Sequence, residues 1–148
     1  IREEICLCEI QTLVFRESPK ADDPKPKLQP SPEEASWERS LVPDPVLLFR
    51  YSALTFNGHR IHYDRSYCIE EEGYPGLLVH GPLQATLLLD LCSRYKQATP
   101  LKRFVFRAMS PVFDGQEIRI CGIEDEGKGK LWIRGPAGEM AMSAEASW

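Results

Sequence analysis

The stretch His80-Gly81-Pro82-Leu83-Gln84-Ala85-Thr86-Leu87-Leu88-Leu89-Asp90-Leu91-Cys92 opens the clearest element of the chain. Its periodicity predicts a helix from Pro82 to about Gln97. Leu83, Leu87, Leu88, Leu91, Cys92 and Tyr95 form an apolar stripe, and Gln84, Asp90, Ser93, Arg94 and Lys96 fall mostly off it. Gly81-Pro82 gives the helix a start with free amides, and Pro100 blocks its continuation. Everything after Pro100 reads as strand. Phe104, Phe106 and Ala108 alternate with Arg103, Val105 and Arg107; Ile118 and Ile120, then Leu131 and Ile133, then Met140, Met142, Ala144 and Ala146 carry the strands that follow. Asp114-Gly115, the polar segment Glu124 to Lys130, and Gly135-Pro136-Ala137-Gly138 are the turns between them. One long helix followed by antiparallel strands predicts an α+β fold, a curved sheet wrapped around that helix.

Upstream, Pro43-Asp44-Pro45 starts another helix, with Asp44 as N-cap and Pro45 in the first turn. Val46, Phe49, Ala53 and Leu54 recur at helical spacing, and Gly58 is expected to end the helix. Asn57, His59 and His62 then lie at its exit and on the following loop. Arg65 to Glu71 predicts a short helix, and Gly73-Tyr74-Pro75-Gly76 a turn.

The 148 residues suit a single core, and the net charge of -4 argues against a nucleic-acid surface. Apolar runs are too short to span a bilayer, and the N-terminus shows no secretory pattern. The chain begins with Ile1 rather than Met, which leaves room for a missing start. Cys6, Cys8, Cys68, Cys92 and Cys121 are odd in number and contain no CxxC pair, so they read as buried free thiols. Residues 1–17 read as a leading strand, with Cys6, Cys8, Ile10, Thr12 and Val14 on one face. Residues 18–42, with Pro19, Pro24, Pro26, Pro30 and Pro32 among charged groups, read as a loose proline-rich linker. The folded domain is expected over 43–148.

All three histidines lie between His59 and His80. They are the only side chains whose ordinary titration falls near neutrality. His62 is the candidate general base; His59 either orients it, contacts substrate or satisfies a backbone carbonyl. Spacings of three and two let His59, His62 and Asp64 be weighed as chelators, but only His80 offers a further ligand and no metal is expected. Asp64 reads as the cap of the short helix. Gly81 has two compatible readings: a tight turn, or an oxyanion hole in which helix-start amides face an acyl oxygen.

Two blocks, Phe56-Asn57-Gly58-His59-Arg60-Ile61-His62-Tyr63-Asp64 and Val79-His80-Gly81-Pro82-Leu83, with Glu72-Gly73-Tyr74-Pro75-Gly76 between them, resemble the MaoC-like hotdog dehydratases. Within that family the likeness is to fungal mitochondrial 3-hydroxyacyl-thioester dehydratases and to mesaconyl-CoA and 3-methylfumaryl-CoA hydratases. It runs from about Pro43 to the C-terminus, and the leading strand with its linker resembles the join between two hotdog repeats. The resemblance implies a five- or six-stranded sheet around the helix and a pairing of two hotdogs, as a homodimer or with a second repeat. It implies reversible hydration of trans-2-enoyl thioesters carried on coenzyme A or phosphopantetheine, with no metal or redox cofactor, no nucleic acid and no membrane. The compartment it implies is the cytoplasm, or the mitochondrial matrix in a eukaryote.

By the same resemblance His62, Asn57, His59 and Gly81 are the catalytic candidates, and His80, Pro82, Tyr63 and Arg60 the substrate contacts. Asn57 stands where the wider family has Asp. An amide cannot take a proton, so Asn57 could only hold the water while His62 acts as acid and base. Arg103 and Arg107 read as a solvated strand face, with coenzyme A phosphates as the other reading. Two rival functions stay open: a hotdog thioesterase, and a non-catalytic half that needs a companion repeat to close its acyl tunnel.

Overall fold

The leucine-rich helix needs a partner for its apolar stripe, and the sheet supplies it. The computed structural model describes residues 5–13, 27–97 and 99–148. In chain order the elements are β1 (Trp37–Leu41), α1 (Pro45–Thr55), a 3-10 turn (Arg60–His62), α2 (Arg65–Glu70), α3 (Gly81–Tyr95), β2 (Arg103–Ala108), β3 (Ile118–Asp125), β4 (Lys128–Arg134) and β5 (Met140–Ser147). The five strands form one antiparallel sheet in the order β1-β3-β4-β5-β2. Helix α3 lies across β1, β3, β4 and β5. Leu88 and Leu91 of the helix, Ile118 and Ile133 of the sheet, and Met142 are fully buried between the two layers. Removing one such leucine side chain costs about 2–5 kcal/mol. A hotdog, an antiparallel sheet wrapped on one long helix, is therefore the architecture.

Local chemistry explains the joints. Asp44 accepts from the Leu47 amide and so caps α1, and Asp64 accepts from Tyr67 and caps α2. Gly122 lets β3 approach its neighbours: a Cβ there would lie 3.0 Å from the Trp37 ring and 3.5 Å from Leu91. Glu126 and Gly127 both have positive φ, the backbone that a two-residue hairpin between β3 and β4 requires. An irregularity between Ile133 and Arg134 shifts the β4–β5 register, so Ala141 as well as Met142 is buried.

Several expectations need correction. Strand β1 lies inside the segment read as linker. It pairs with β3 over Trp37–Gly122 to Leu41–Ile118, and its tryptophan is buried. The described end of that linker is also docked: the Met140 amide donates to the Gln29 carbonyl, the Ser31 amide to Gly138, and Arg134 to Ser31, Pro32 and Glu33. The described part of the leading segment, residues 5–13, joins no strand among the described residues, and Cys6 and Cys8 are exposed rather than buried. Alternation alone cannot make a strand without a sheet edge to receive it. Glu4 and Val14 to Pro26 lie outside the described residues.

Helix α1 faces the core with Leu48 and Ser52, leaving Val46, Phe49 and Leu54 exposed. Gly58 does not end α1. Phe56 does, in the left-handed region at φ 53 with its ring almost wholly exposed. On β2, Phe104 pairs with Ala146 and Phe106 with Ala144, yet Phe106 stays exposed because β2 is the sheet's outer edge. Among the described residues no helix is long and apolar enough to cross a membrane.

The left-handed backbone at Phe56 carries a steric cost of about 1–2 kcal/mol for a residue with a Cβ. Phe56→Gly is expected to stabilise the fold by about 1 kcal/mol, since the exposed ring contributes little packing. Urea unfolding at equilibrium measures this; an unchanged midpoint would show that the ring returns what its backbone costs.

Candidate active site

Helix α1 delivers the first group. Ser52 sits one turn after Leu48 on the buried face, and its Oγ is 2.8 Å from His80 Nε2. The exit of α1 folds back on itself, with the Asn57 amide donating to the Ser52 carbonyl at 2.9 Å. Asn57 Oδ1 then accepts from the His59 amide at 3.0 Å, and Tyr63 Oη donates to the Gly58 carbonyl at 2.7 Å. These bonds build the tight loop that carries the 3-10 turn.

His62 occupies the end of that turn and is buried. Its Nδ1 lies 2.7 Å from the Leu78 carbonyl. A carbonyl only accepts, so Nδ1 carries the proton and Nε2 keeps its lone pair. Residues Leu77 to Val79 are held in turn. Asp114 Oδ1 accepts from the Leu77 amide at 2.8 Å, the Asp114 amide donates to the Leu77 carbonyl at 3.0 Å, and Arg65 pairs with Asp114. The Leu78 amide donates to Ile61 and the Val79 amide to Val112. The Cys68 thiol donates to the Gly76 carbonyl.

Val79 leads directly into His80, the fully buried N-cap residue of α3. The rings of His62 and His80 stack with centroids 3.7 Å apart and planes 17° apart. His59 meets His62 edge-on at 5.8 Å, and Tyr51 meets His80 edge-on at 4.9 Å. Burial pushes the His62 imidazole below its ordinary pKa; the Leu78 bond opposes this and nearby His59 adds to it. Burial, reinforced by His62, lowers His80 to about 4. Both rings are therefore neutral at pH 7, and the free lone pair of His62 is available as a base.

Of the residues singled out from the sequence, His62 and His80 are in contact, His59 flanks them exposed, and Asn57 stands half-buried on the rim. Phe49, Ser52, Ala53, Phe56, Asn57, Gly58 and Tyr63 line a cleft of about 300 Å³ there. Gly81 begins α3, and a Cβ on it would meet nothing within 4 Å. Packing therefore does not demand glycine. The first-turn amides have no carbonyl partner within the helix. Pro82 is exposed beside it. Arg60 is turned to α2, bonded to Asp64 and lying 4.1 Å over the Tyr67 ring. Asp64, capping α2 and paired with Arg60, is not presented to His59 and His62. Among the described residues no three His, Cys, Asp or Glu side chains gather as metal ligands.

Ser52, Tyr51, Gln84 and the Leu78 carbonyl escaped the sequence reading. Ser52 carried a signal, a polar residue four after Leu48. Gln84 is buried although read as lying off the stripe, and its Oε1, like His80 Nδ1, has no hydrogen-bond partner among the described residues. An unpartnered buried polar group costs about 1–3 kcal/mol. The larger cavity, about 620 Å³, lies at the far end of α3 around Cys92, Lys96 and Trp148. There Lys96 is paired with Glu124 and burial raises the Cys92 thiol to about 11, so that end offers no ready base or nucleophile.

The depressed histidines make the fold acid-sensitive. Below the ordinary histidine pKa the unfolded chain takes up protons that His80 refuses until about pH 4. Stability is thus full above pH 6.5 and falls as pH drops from there toward 4. Between pH 7 and pH 5 the loss from His80 is expected to be about 2 kcal/mol. Urea unfolding at both pH values should show it, and His80→Asn should flatten the difference; an equal slope in the variant would assign the acid sensitivity elsewhere.

The family described as hydroxyacyl-thioester dehydratase type 2 matches residues 1–114, which includes both histidine blocks. Over 143 residues, 96% of the chain, the sequence is 47% identical to a mesaconyl-C(4)-CoA hydratase of Chloroflexus aurantiacus, covering 50% of that protein. It is 39% identical over 134 residues, 89% of the chain and 43% of the relative, to the mitochondrial hydroxyacyl-thioester dehydratase type 2 of Schizosaccharomyces pombe. The chain thus spans about half the length of the curated relatives it matches. The ChsH1-ChsH2 complex of Mycobacterium tuberculosis contains a similar fold, with TM-score 0.62, 20% identity, 74% of this chain and 91% of that one covered. With the family matched across more than half its length, and the fold shared, the chain belongs to the hydroxyacyl-thioester dehydratase type 2 family of hotdog proteins.

Proposed function

We propose that the chain catalyses reversible addition of water to trans-2-enoyl thioesters, and in the other direction dehydrates 3-hydroxyacyl thioesters. One observation carries the reading: His62 is buried with Nδ1 tied to the Leu78 carbonyl, so its Nε2 is a neutral base beside the start of α3. In hydration the water oxygen bonds to C3 while its proton passes to His62 Nε2. The π electrons of C2–C3 move toward the thioester, and the enolate oxygen is stabilised by the Gly81 N–H at the start of α3. His62 then returns the proton to C2. Asn57 already uses Oδ1 for the His59 amide, which leaves its NH₂ group to hold the water. The reading needs no metal and no redox cofactor. Coenzyme A or a phosphopantetheine arm carries the acyl group.

The names of the two relatives, a hydratase and a dehydratase, support the reaction class. We place the chemistry in the cytoplasm, or in the mitochondrial matrix of a eukaryote. The functional unit we propose pairs two hotdogs. Strand β2 is a sheet edge with Val105 and Phe106 exposed, an arrangement that a second sheet could cover. The coverage of half of each relative favours a second reading, in which this chain is one half of the unit and needs the other for activity. The thioesterase reading gains nothing from the site, where the water-holding position is an amide and the buried base is an imidazole.

The test is loss of the enoyl-thioester ultraviolet band with crotonyl-CoA and mesaconyl-CoA. His62→Ala is expected to lower the rate by about 10²–10⁴, the usual share of a general acid–base. A variant as active as the parent would remove His62 from the mechanism. Activity that appears only when a companion hotdog is added would select the half-unit reading, and release of free thiol would mark a thioesterase. Asn57→Asp keeps the acceptor for the His59 amide and adds a titrating oxygen, so kcat/KM should stay within about tenfold of the parent. Complete loss there would show that the amide N–H bond to water is essential.

A further inference from the structure

Ser52 is tied to two different parts of the site. Its carbonyl accepts from the Asn57 amide at 2.9 Å, so the residue that holds water in the proposed reaction hangs from its backbone. Its Oγ lies 2.8 Å from His80 Nε2, with both residues buried. A hydroxyl can donate or accept, so this bond forms with either tautomer of His80. Among the described residues it is the one hydrogen bond to that ring, because His80 Nδ1 has no partner. The ring contacts of His80 are aromatic: His62 stacked at 3.7 Å and Tyr51 edge-on at 4.9 Å. The stack matters because a single hydrogen bond does not fix a ring. The Leu78 carbonyl holds His62 at Nδ1, yet an imidazole anchored at one atom still tilts about that bond. A second ring 3.7 Å away and 17° from parallel removes the tilt. His80 therefore sets where His62 Nε2 points, and Ser52 sets His80.

We propose that Ser52 is a positioning residue, aligning the base with the water-holding amide through His80 on one side and the Asn57 backbone on the other. The inference rests on the hydratase reading of the site. Ser52 takes no proton and bonds to no substrate atom in that reaction. Its task is distance. Asn57 leaves the end of α1, whereas His80 enters α3, and the Ser52 side chain joins the two helices at the level of the base. Tyr51 and Thr86 add only a long contact of 3.4 Å between them. A misplacement of about 1 Å between reacting groups can lower a rate by about 10²-fold, so a lost tie at this point is felt in turnover rather than in binding.

The experiment compares Ser52→Ala, which removes the bond, with Ser52→Thr, which keeps a hydroxyl, in the full-length chain. With crotonyl-CoA, kcat of the alanine variant is expected to fall by about 10- to 100-fold while KM stays within about threefold. The threonine variant should recover kcat to within about fivefold of the parent. Proton NMR titration of the three histidines supplies a readout that a merely structural role would not move. Around His62 stand His59 edge-on and His80 stacked, while Asp64 is turned to Arg60 and the α2 amides. None of these is replaced. Burial holds His62 below its ordinary pKa, so a loosened stack that admits water raises its midpoint in Ser52→Ala, and the acid limb of kcat/KM rises with it. Both should stay with the parent in Ser52→Thr. Circular dichroism checks the folds, and Ser52→Cys, a weaker donor of similar size, takes over if the added methyl unfolds the threonine variant. An alanine variant with an unmoved His62 titration overturns the proposal, and so does a folded threonine or cysteine variant that fails as fully as alanine. The titration is read without turnover. A parent that hydrates nothing would therefore sink the hydratase reading, while the His62 midpoint would still decide whether Ser52 positions the ring.

Discussion

The hydrogen bond from His62 Nδ1 to the Leu78 carbonyl is the constraint on which the rest of the site depends. It joins the 3-10 turn to the segment leading into α3, and it settles which nitrogen of His62 keeps a lone pair. The bond is available only because the Leu78 carbonyl is held still. Asp114, bonded to Leu77 and paired with Arg65, fixes the segment from one side, and Cys68 fixes Gly76 at its start. Those residues touch no reacting group. They hold a carbonyl, the carbonyl holds an imidazole, and the imidazole is thereby left a base.

Burial does two things at this site. It keeps His62 and His80 neutral at physiological pH, because a charged imidazole stacked on another in a low-dielectric pocket is penalised twice. It also strengthens whatever hydrogen bonds or partial charges remain, and the proposed role of the α3 start draws on that low competition from water. The same burial makes the orphaned atoms of His80 and Gln84 costly.

The sequence made the long-range frame legible and hid the orientation of its parts. Leu83, Leu88 and Leu91 repeat over enough turns that only one face could be core, and the strands after Pro100 alternate cleanly. Helix α1 is shorter, and Val46, Phe49 and Leu54 made an equally regular face that turned out to be the open one. What decided its rotation was a tertiary bond, Ser52 to His80, which no local periodicity encodes. Strand β1 was concealed by its neighbourhood. Five residues beside a proline-rich run carry little pattern, and their pairing with β3 is a contact across some eighty positions. Alternation at residues 5–13 misled for the opposite reason, having pattern without a neighbouring edge.

At the site the residue types were readable and their division of labour was not. His62, His80 and Gly81 could be named from spacing and resemblance, but one dimension gives no reason for the two histidines to stack. Asn57 shows the limit most clearly. From the sequence it is an aspartate's substitute that has lost its proton. In the fold it has a second task, closing the loop through the His59 amide, which an aspartate could perform equally well. The fold thus asks that position for an acceptor oxygen, and in the proposed reaction the proton transfer falls to the buried imidazole. In the reaction proposed above, a water held by an amide and activated by a neutral histidine needs fewer charges in the pocket than a carboxylate–imidazole pair, and the pull on the thioester oxygen falls to the helix start.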